Sequence, residues 1–170
     1  LLPLLDQPCP VERMSVVYAL GRNPCPNAVE KLVSLLETDD NAYVRRATAW
    51  SLANYDNQIV LEPLINALKN DVAAVRLWSS SSLAEIGNVS LKNAQLAAEQ
   101  LLISLKIDNE PGVRSNCIWS LCRLYEKLNN TFQESFVDEC TKIALFDKEP
   151  SVMEEAKTAL DSMGMQGFYN

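Results

Sequence analysis

Histidine is missing from this 170-residue sequence, and its absence removes the commonest general base and the commonest metal ligand together. No apolar run is long enough to cross a bilayer, and no basic segment followed by an apolar run signals export. Glycine is scarce, with five residues, and no glycine-rich phosphate loop occurs. These absences argue against an enzyme and against membrane insertion, and we expect a cytoplasmic protein.

Cysteine is present, but not in a pattern that indicates a disulfide framework or a metal site. The number is odd and no two cysteines form a CxxC pair, which is typical of a reducing compartment. We therefore expect no catalytic, cofactor-binding or metal-binding residue. The cysteines are Cys9, Cys25, Cys117, Cys122 and Cys140.

Acidic residues outnumber basic ones, which gives a net charge of -7 and a pI near 4.6. A surface of that sign repels phosphate backbones and anionic lipids, so nucleic acid is not an expected partner. Hydrophobic residues make up 48% of the chain, enough to bury a sizeable core in one domain.

One nine-residue segment occurs twice in the chain. VRRATAWSL begins at Val44 and VRSNCIWSL begins at Val113, with five of nine letters identical. The same register begins again at Val75 and Val152 and, with glutamate in place of valine, at Glu12. The steps between these starts are 32, 31, 38 and 39 residues, a spacing typical of an array of helical repeats.

Residues within each copy follow the period of one helix face. With the starting residue as position zero, position eight is leucine in every copy, and positions four and seven are almost uniformly small. Small side chains let buried helices approach closely, so we expect these two positions to form the seam between stacked repeats. They hold Val16, Thr48, Ser79, Cys117 and Ala156 at position four, and Ala19, Ser51, Ser82, Ser120 and Ala159 at position seven.

A second apolar segment with helical spacing follows each of the first four copies, and an acidic turn leads to the next copy. The sequence therefore predicts an all-α protein, a right-handed α-solenoid of about five helix-turn-helix repeats with about nine helices. We expect a single domain over 1–170, with units near 10–38, 39–70, 71–107, 108–146 and 147–164. TFQE at 131–134 and SVME at 151–154 have the form of capping boxes and are expected to begin helices.

Repeats of this length that open with aspartate and Val-Arg, and that carry small residues before a leucine, resemble HEAT repeats. More narrowly, they are similar to the HEAT-like repeats of the phycobilisome lyase type found in cyanobacterial proteins. The resemblance extends from about Pro10 to Gly164. It implies a platform that holds another protein, and it implies no catalytic residue at any position of this sequence.

The function expected on this basis is a non-enzymatic protein-protein interaction module or scaffold that assists the assembly or maturation of a client protein. The client that the resemblance implies is a phycobiliprotein or another cyanobacterial protein. Two alternatives stay open. The first is a subunit of a bilin lyase or isomerase, which would handle a transient bilin, and the second is an accessory protein in iron-sulfur cluster biogenesis.

Arginine follows the starting residue in four of the five copies, and Met153 takes its place in the last. Aspartates precede three of these arginines by a few residues, where an acid can cap the helix start and pair with an arginine of an adjacent repeat. We expect a structural ladder along the stack, although an arginine row could instead hold a phosphate or the propionates of a bilin. Its members are Arg13, Arg45, Arg76 and Arg114 with Asp39, Asp71 and Asp108.

The second helices of the units would form the concave face of such a solenoid, and their polar side chains would meet a partner there. Isolated apolar residues on these helices would act as anchors. Trp78, at position three of its copy, is expected to be a further anchor, because aromatic residues dominate protein interfaces. The segment GMQGFYN at 164–170 either folds back on the last helix or enters a partner's groove. The predicted partner-binding residues are Lys31, Asn66, Lys69, Trp78, Gln100, Ile103, Lys106, Glu139 and Lys142.

Overall fold

The computed structural model describes residues 1–167, which form nine α-helices and four short 3-10 helices and contain no strand. The 3-10 segments are Leu2–Asp6, Pro26–Ala28, Gln58–Val60 and Tyr125–Lys127. The α-helices are α1 (Pro10–Arg22), α2 (Val29–Thr38), α3 (Ala42–Leu52), α4 (Leu61–Asn70), α5 (Ala73–Gly87), α6 (Leu91–Ile107), α7 (Pro111–Leu124), α8 (Asn130–Phe146) and α9 (Pro150–Ser162).

The helices form two layers. α1, α3, α5, α7 and α9 pack one after another as the odd layer, and α2, α4, α6 and α8 do the same as the even layer. Each even helix also packs against the odd helix that follows it in the chain. Within the described residues, the predicted all-α solenoid with about nine helices is confirmed.

Small residues form the seam between neighbouring odd helices. Cys117 at position four and Ser120 at position seven are fully buried in α7. The hydroxyl of Ser120 donates to the carbonyl of Ser80 on α5 at 2.8 Å, and Ser82 donates in the same way to Ala49 on α3 at 2.7 Å. Ser82 and Ser120 therefore keep the helices close and satisfy their own buried hydroxyls, whereas the buried hydroxyl of Ser51 at the same position of α3 has no hydrogen-bond partner among residues 1–167.

Polar caps and prolines begin most of the helices. Asn41, Ser90 and Asn129 accept hydrogen bonds from backbone N–H groups in the first turns of α3, α6 and α8. Proline occupies the first turn of α1, α7 and α9, where its missing N–H leaves no hydrogen bond unmade. These local signals set where each helix starts.

The capping boxes predicted at 131–134 and 151–154 are wrong. Asn129 caps α8 by accepting from the N–H of Phe132 at 2.9 Å, so Thr131 lies inside the first turn. α9 begins at Pro150, and Ser151 is likewise already helical. In both helices a stronger start signal lies one or two residues upstream of the predicted box.

The segments at either end of the array also pack against it. The 3-10 helix Leu2–Asp6 lies on α1 and buries Leu5, and Met165 packs against the core after α9. Of the C-terminal segment GMQGFYN, Phe168 and Tyr169 lie outside the described residues. None of the helices in residues 1–167 combines the length and apolar character that crossing a membrane requires.

Candidate partner-binding surface

Each even helix ends at an aspartate, and an arginine from the same unit's odd helix binds both oxygens of that carboxylate. The Nε and Nη2 atoms of each arginine donate over 2.7 to 3.1 Å, which is the geometry of a strong bidentate ion pair. The pairs are Arg13 with Asp39, Arg45 with Asp71, Arg76 with Asp108 and Arg114 with Asp147.

In the second, third and fourth pairs, the Nη1 atom of the arginine links its pair to the preceding one. The Nη1 atom of Arg45 donates to the backbone carbonyl of Asp39 at 2.8 Å, while the carboxylate of Asp39 holds Arg13. Arg76 and Arg114 repeat this bond, at 2.8 and 2.9 Å. The four pairs, which we call the ladder, therefore form a continuous chain along the edge of the stack.

The ladder leaves little of any guanidinium open to a ligand. The arginine side chains are 11 to 20% exposed, and aspartate and carbonyl oxygens already occupy their N–H groups. A phosphate or a carboxylate from another molecule would have to displace an internal partner. The geometry favours a structural role for these residues over the capture of an anion.

Burial and ion pairing shift the pKa values of the ladder carboxylates in opposite directions. Burial by itself would raise the pKa of Asp108, but hydrogen bonds from Arg76 and from the N–H of Glu110 outweigh it and hold the pKa below its usual value. The pKa of Asp39 and that of Asp147 are lowered for the same reasons. The charged form is thus favoured although the carboxylates are largely buried.

The structure corrects two details of the ladder. The aspartates do not cap the following helices, because Asp39, Asp108 and Asp147 instead accept from the N–H two residues later, in the turn before the helix. Asp147 was missing from the predicted set. The turn DKEP at 147–150 marks it, since an aspartate opens the corresponding turn before each earlier odd helix from α3 onward.

The even layer carries most of the predicted partner-binding residues, but not all of them are available. Lys31 on α2 forms an ion pair with Asp6 of the N-terminal 3-10 helix. Asn66 accepts from Asn70 at 2.7 Å and borders a cleft of about 340 Å³ between α2 and α4, while Lys69 is exposed close by. Lys31 therefore anchors the N-terminal segment, and Asn66 and Lys69 lie on an open surface.

Gln100 is not a surface residue, and its prediction as a partner contact is wrong. Its residue exposure is 8%, and its amide donates to the hydroxyl of Ser104, which is also buried. Gln100 and Ser104 lie on the same face of α6 as Asn93. The side-chain oxygen of Asn93 accepts a hydrogen bond from Gln58, which lies just before α4. The polar stripe of α6 is covered because it faces the neighbouring unit.

Trp78 belongs to the other layer. It lies on α5, in the odd layer, and is 36% exposed. It therefore cannot act in one site with the residues of the even layer that were predicted beside it.

Three of the predicted residues converge around a cleft of about 440 Å³ between the C-terminal ends of α6 and α8. Lys106, Glu139 and Lys142 border it, and Glu139 and Lys142 approach each other at 3.5 Å. Ile107 and Phe146 border it as well and are 71% and 79% exposed. We call this feature the α6–α8 cleft, and the predicted Ile103 lies one turn before Ile107 with 43% exposure.

Three of the cysteines offer little chemistry. Burial raises the pKa of the Cys122 thiol to about 11 and raises those of Cys117 and Cys140 further. These thiols keep their protons at neutral pH and are poor nucleophiles. No group of three or more Cys, Asp or Glu side chains in residues 1–167 is placed to hold a metal ion.

Comparisons with known proteins agree with the two-layer repeat. The family described as HEAT repeats matches residues 1–84 and, in an overlapping register, residues 29–122. No curated protein matches the chain.

Several solved structures share the fold at low sequence identity. An engineered protein has a TM-score of 0.67 and 21% identity over 94% of this chain and 77% of its own. A designed armadillo repeat protein in complex with the peptide (KR)4 has a TM-score of 0.65 and 19% identity over 98% and 87%. The complex of CpcE and CpcF of phycocyanin lyase from Nostoc sp. PCC7120 has a TM-score of 0.64 and 22% identity over 88% and 98%.

Proposed function

The chain belongs to the HEAT-repeat family, and from that premise we propose that it is a non-enzymatic scaffold that holds a partner protein at the α6–α8 cleft. The observation that carries the proposal is the pair Ile107 and Phe146, two strongly exposed apolar side chains from different helices that border one cleft. Single exposed apolar residues are ordinary on protein surfaces. Two that converge on one cleft are typical of an interaction site.

The cleft has the composition of a non-obligate interface. A partner that covers Ile107 and Phe146 removes their apolar surface from water, which contributes about 1.5–3 kcal/mol for each side chain. Lys106, Glu139 and Lys142 supply a polar rim around these anchors. Such a rim fixes the orientation of a partner and excludes water from the apolar contacts.

Residues of the ladder form part of the wall of the cleft. Arg114, Asp147 and Asp108 line it, and all three are held by the hydrogen bonds of the ladder. A surface whose walls are already fixed loses little conformational freedom when a partner binds, which favours affinity. The same network thus stabilises the stack and prepares the binding surface.

The comparisons and the composition support a binding role. A designed armadillo repeat protein with a similar fold is in complex with a peptide, so an array of this architecture can hold a peptide. The absence of histidine and the protonated state of the Cys117, Cys122 and Cys140 thiols leave few groups for acid-base or nucleophilic catalysis. Both points favour holding a partner over transforming a substrate.

Capture from a lysate of the cells that produce the protein tests this function. The double variant Ile107→Asp and Phe146→Asp should lose its specific partners by about tenfold or more relative to wild type. Leu91→Asp is the matched control, because Leu91 is 66% exposed at the opposite end of α6. If all three baits retain the same proteins in equal amounts by quantitative mass spectrometry, the cleft is not the binding site.

A second candidate function is a subunit of a bilin lyase or isomerase. The similarity to a chain of the phycocyanin lyase complex favours this candidate, because the match covers 98% of that matched chain. Mixing the purified protein with a bilin and an apo-phycobiliprotein, and following the absorbance spectrum, tests the candidate. A faster or more complete attachment of the pigment than without the protein would support the lyase function, and an unchanged spectrum would oppose it.

A further inference from the structure

A second cluster of interface-type residues lies on the odd layer, away from the α6–α8 cleft. It consists of Tyr18 on α1 and of Tyr43, Arg46 and Trp50 on α3, and we call it the aromatic cluster. The rings of Tyr18 and Trp50 pack with centroids 5.4 Å apart and planes tilted by 56°. Arg46 lies 5.7 Å from the centre of the Tyr43 ring and donates to the hydroxyl of Tyr18 at 3.4 Å.

Arg46 has no carboxylate partner among residues 1–167, although acidic residues dominate the chain. Its Nε atom is buried without a hydrogen bond, and its single side-chain bond is the long one to Tyr18. Arg123 provides a direct contrast. It lies 5.0 Å from the centre of the Trp119 ring, in the same kind of aromatic contact, but it pairs with Glu85 at 2.8 Å.

The other units of the array form the same helices without an arginine or a tyrosine at the positions of Arg46 and Tyr43. The residues of the other units that correspond to Arg46 are Met14, Leu77, Ser115 and Glu154, and those that correspond to Tyr43 are Val11, Ala74, Gly112 and Ser151. Position six, which holds Tyr18 and Trp50, is tryptophan again in the fourth unit but serine or threonine in the third and fifth units. The cation of Arg46 and the ring of Tyr43 are thus particular to the second unit.

Trp78 extends the same surface toward α5. It occupies position three of its copy, as Asn116 does on α7, and Asn116 donates to Leu77 and Ser80 on the preceding odd helix. The equivalent side of α5 faces α3, so Trp78 lies on the flank of the cluster. Tyr43 is 65% exposed and Trp78 36%, which leaves the cluster open to a partner.

We infer that the aromatic cluster is a second docking surface, whose partner is a protein segment that places one carboxylate on Arg46 and an apolar side chain against the rings. A guanidinium between aromatic rings is partly shielded from water, so a charge-assisted hydrogen bond to an acid is strong there. Tryptophan, tyrosine and arginine are also the residues that most often dominate binding energies at interfaces. Because the surface is on the odd layer, a partner there leaves the α6–α8 cleft free.

The test is a selection of random displayed peptides on the Phe146→Asp variant, so that peptides for the α6–α8 cleft are not recovered. The enriched peptides should share an aspartate or glutamate, and replacing that acid with its amide should abolish binding. Arg46→Gln should weaken the enriched peptides by about tenfold or more. Arg46→Lys should weaken them nearly as much, because an ammonium cannot bind a carboxylate with a bidentate fork.

Two variants separate binding from folding. Arg46→Gln removes one long hydrogen bond and the contact with the exposed Tyr43 ring, and it should melt within a few degrees of the wild type. Tyr43→Ala removes an exposed ring and should also weaken the peptides. Arg123→Gln is the control with the same aromatic contact, and it should bind the peptides as the wild type does. The inference is overturned by enriched peptides without an acid, by equal affinity for Arg46→Gln, or by a selection that enriches nothing.

Discussion

The groups that contact an arginine side chain determine the expected effect of replacing it. Arg76 pairs with a largely buried aspartate, Arg123 pairs with an exposed glutamate, and Arg46 contacts an aromatic ring and has no acidic partner among residues 1–167. The carboxylate of Asp108 also lies at a helix C-terminus, where the helix dipole disfavours negative charge, so its counter-ion matters more than usual. We therefore expect three different effects when Arg76, Arg123 and Arg46 are replaced.

Arg76→Gln should lower the free energy of unfolding by about 2–4 kcal/mol, because Asp108 would stay buried without its counter-charge. Arg123→Gln is the control. Its ion pair with Glu85 joins side chains that are 42% and 44% exposed, and losing it should cost about 0–1 kcal/mol. Urea unfolding followed by circular dichroism measures both, and equal losses would mean that the ladder does not stabilise the stack.

Acid should weaken the ladder in a predictable direction. The pKa of Asp108 is lower in the folded protein than in the unfolded chain, so its contribution is complete above the unfolded value of about 4. It is lost as the pH falls through the lower, folded pKa. As the pH is lowered from the unfolded to the folded pKa, we expect the urea concentration at the unfolding midpoint of the wild type to decrease. The decrease should be smaller in Asp108→Asn.

Asp138→Asn is the matched control for this pH series, since Asp138 is exposed on α8. Its midpoint should follow the wild type through the same acid window. A profile for Asp108→Asn that runs parallel to the wild type would show that protonation of this carboxylate does not destabilise the fold.

At the scale of the helices, close approach between odd helices is the dominant requirement. Gly21 on α1 lies under the ring of Trp50 on α3, and a Cβ atom there would stand 2.4 Å from the Cζ3 atom of that ring. Ser82 and Ser120 at the seam act in the same way, with short side chains that also donate to a carbonyl of the neighbouring helix. Neighbouring odd helices thus meet through small residues.

Gly21→Ala should destabilise the protein by about 1–3 kcal/mol, because the ring of Trp50 would have to shift away from the new methyl group and from its packing against Tyr18. Gly112→Ala should leave the stability unchanged or raise it by up to about 1 kcal/mol, since alanine favours helix and the nearest atom is a flexible Leu77 methyl at 3.3 Å. Thermal melts of the two variants compare them directly. A stable Gly21→Ala protein would show that the seam tolerates a wider spacing.

The sequence predicts those parts of the fold that repeat with a helical period. Leucine at position eight is buried in every copy, as in Leu52 and Leu121, because apolar spacing alone indicates which face is inward. Gln100 could not be assigned in this way. A polar residue beside the apolar stripe is exposed on an isolated helix, and only the packing of the neighbouring unit covers it.

The candidate site was predicted only in part for a similar reason. The even-layer residues Lys106, Glu139 and Lys142 follow from the helical pattern, but their convergence on one cleft does not. Ile107 and Phe146 are far apart in sequence, and their proximity depends on how α6 and α8 align. The lack of an acidic partner for Arg46 is also invisible in the sequence, since every potential partner lies on another element.

At the scale of the whole molecule, the array combines one edge that is held by the ladder with two exposed surfaces, the α6–α8 cleft and the aromatic cluster. The ladder runs along the turns that precede successive odd helices, the α6–α8 cleft lies at one end of it, and the aromatic cluster lies on the odd layer. α9 differs from the earlier odd helices, with Met153 in place of arginine and Lys157 where Val17, Ala49, Ser80 and Ile118 stand in the preceding copies. Its outward side is therefore more polar, as is typical of a capping repeat.

Photo-crosslinking in living cells, with a photoreactive phenylalanine analogue in place of Phe146, tests directly whether a partner binds at the α6–α8 cleft. We expect a defined crosslinked product at residue 146 that is absent when the analogue replaces Leu91, which is also strongly exposed on the even layer. The product should disappear when Ile107→Asp is added. Equal crosslinking at both residues, or none at residue 146, would contradict the assignment of the α6–α8 cleft as the surface that holds a partner.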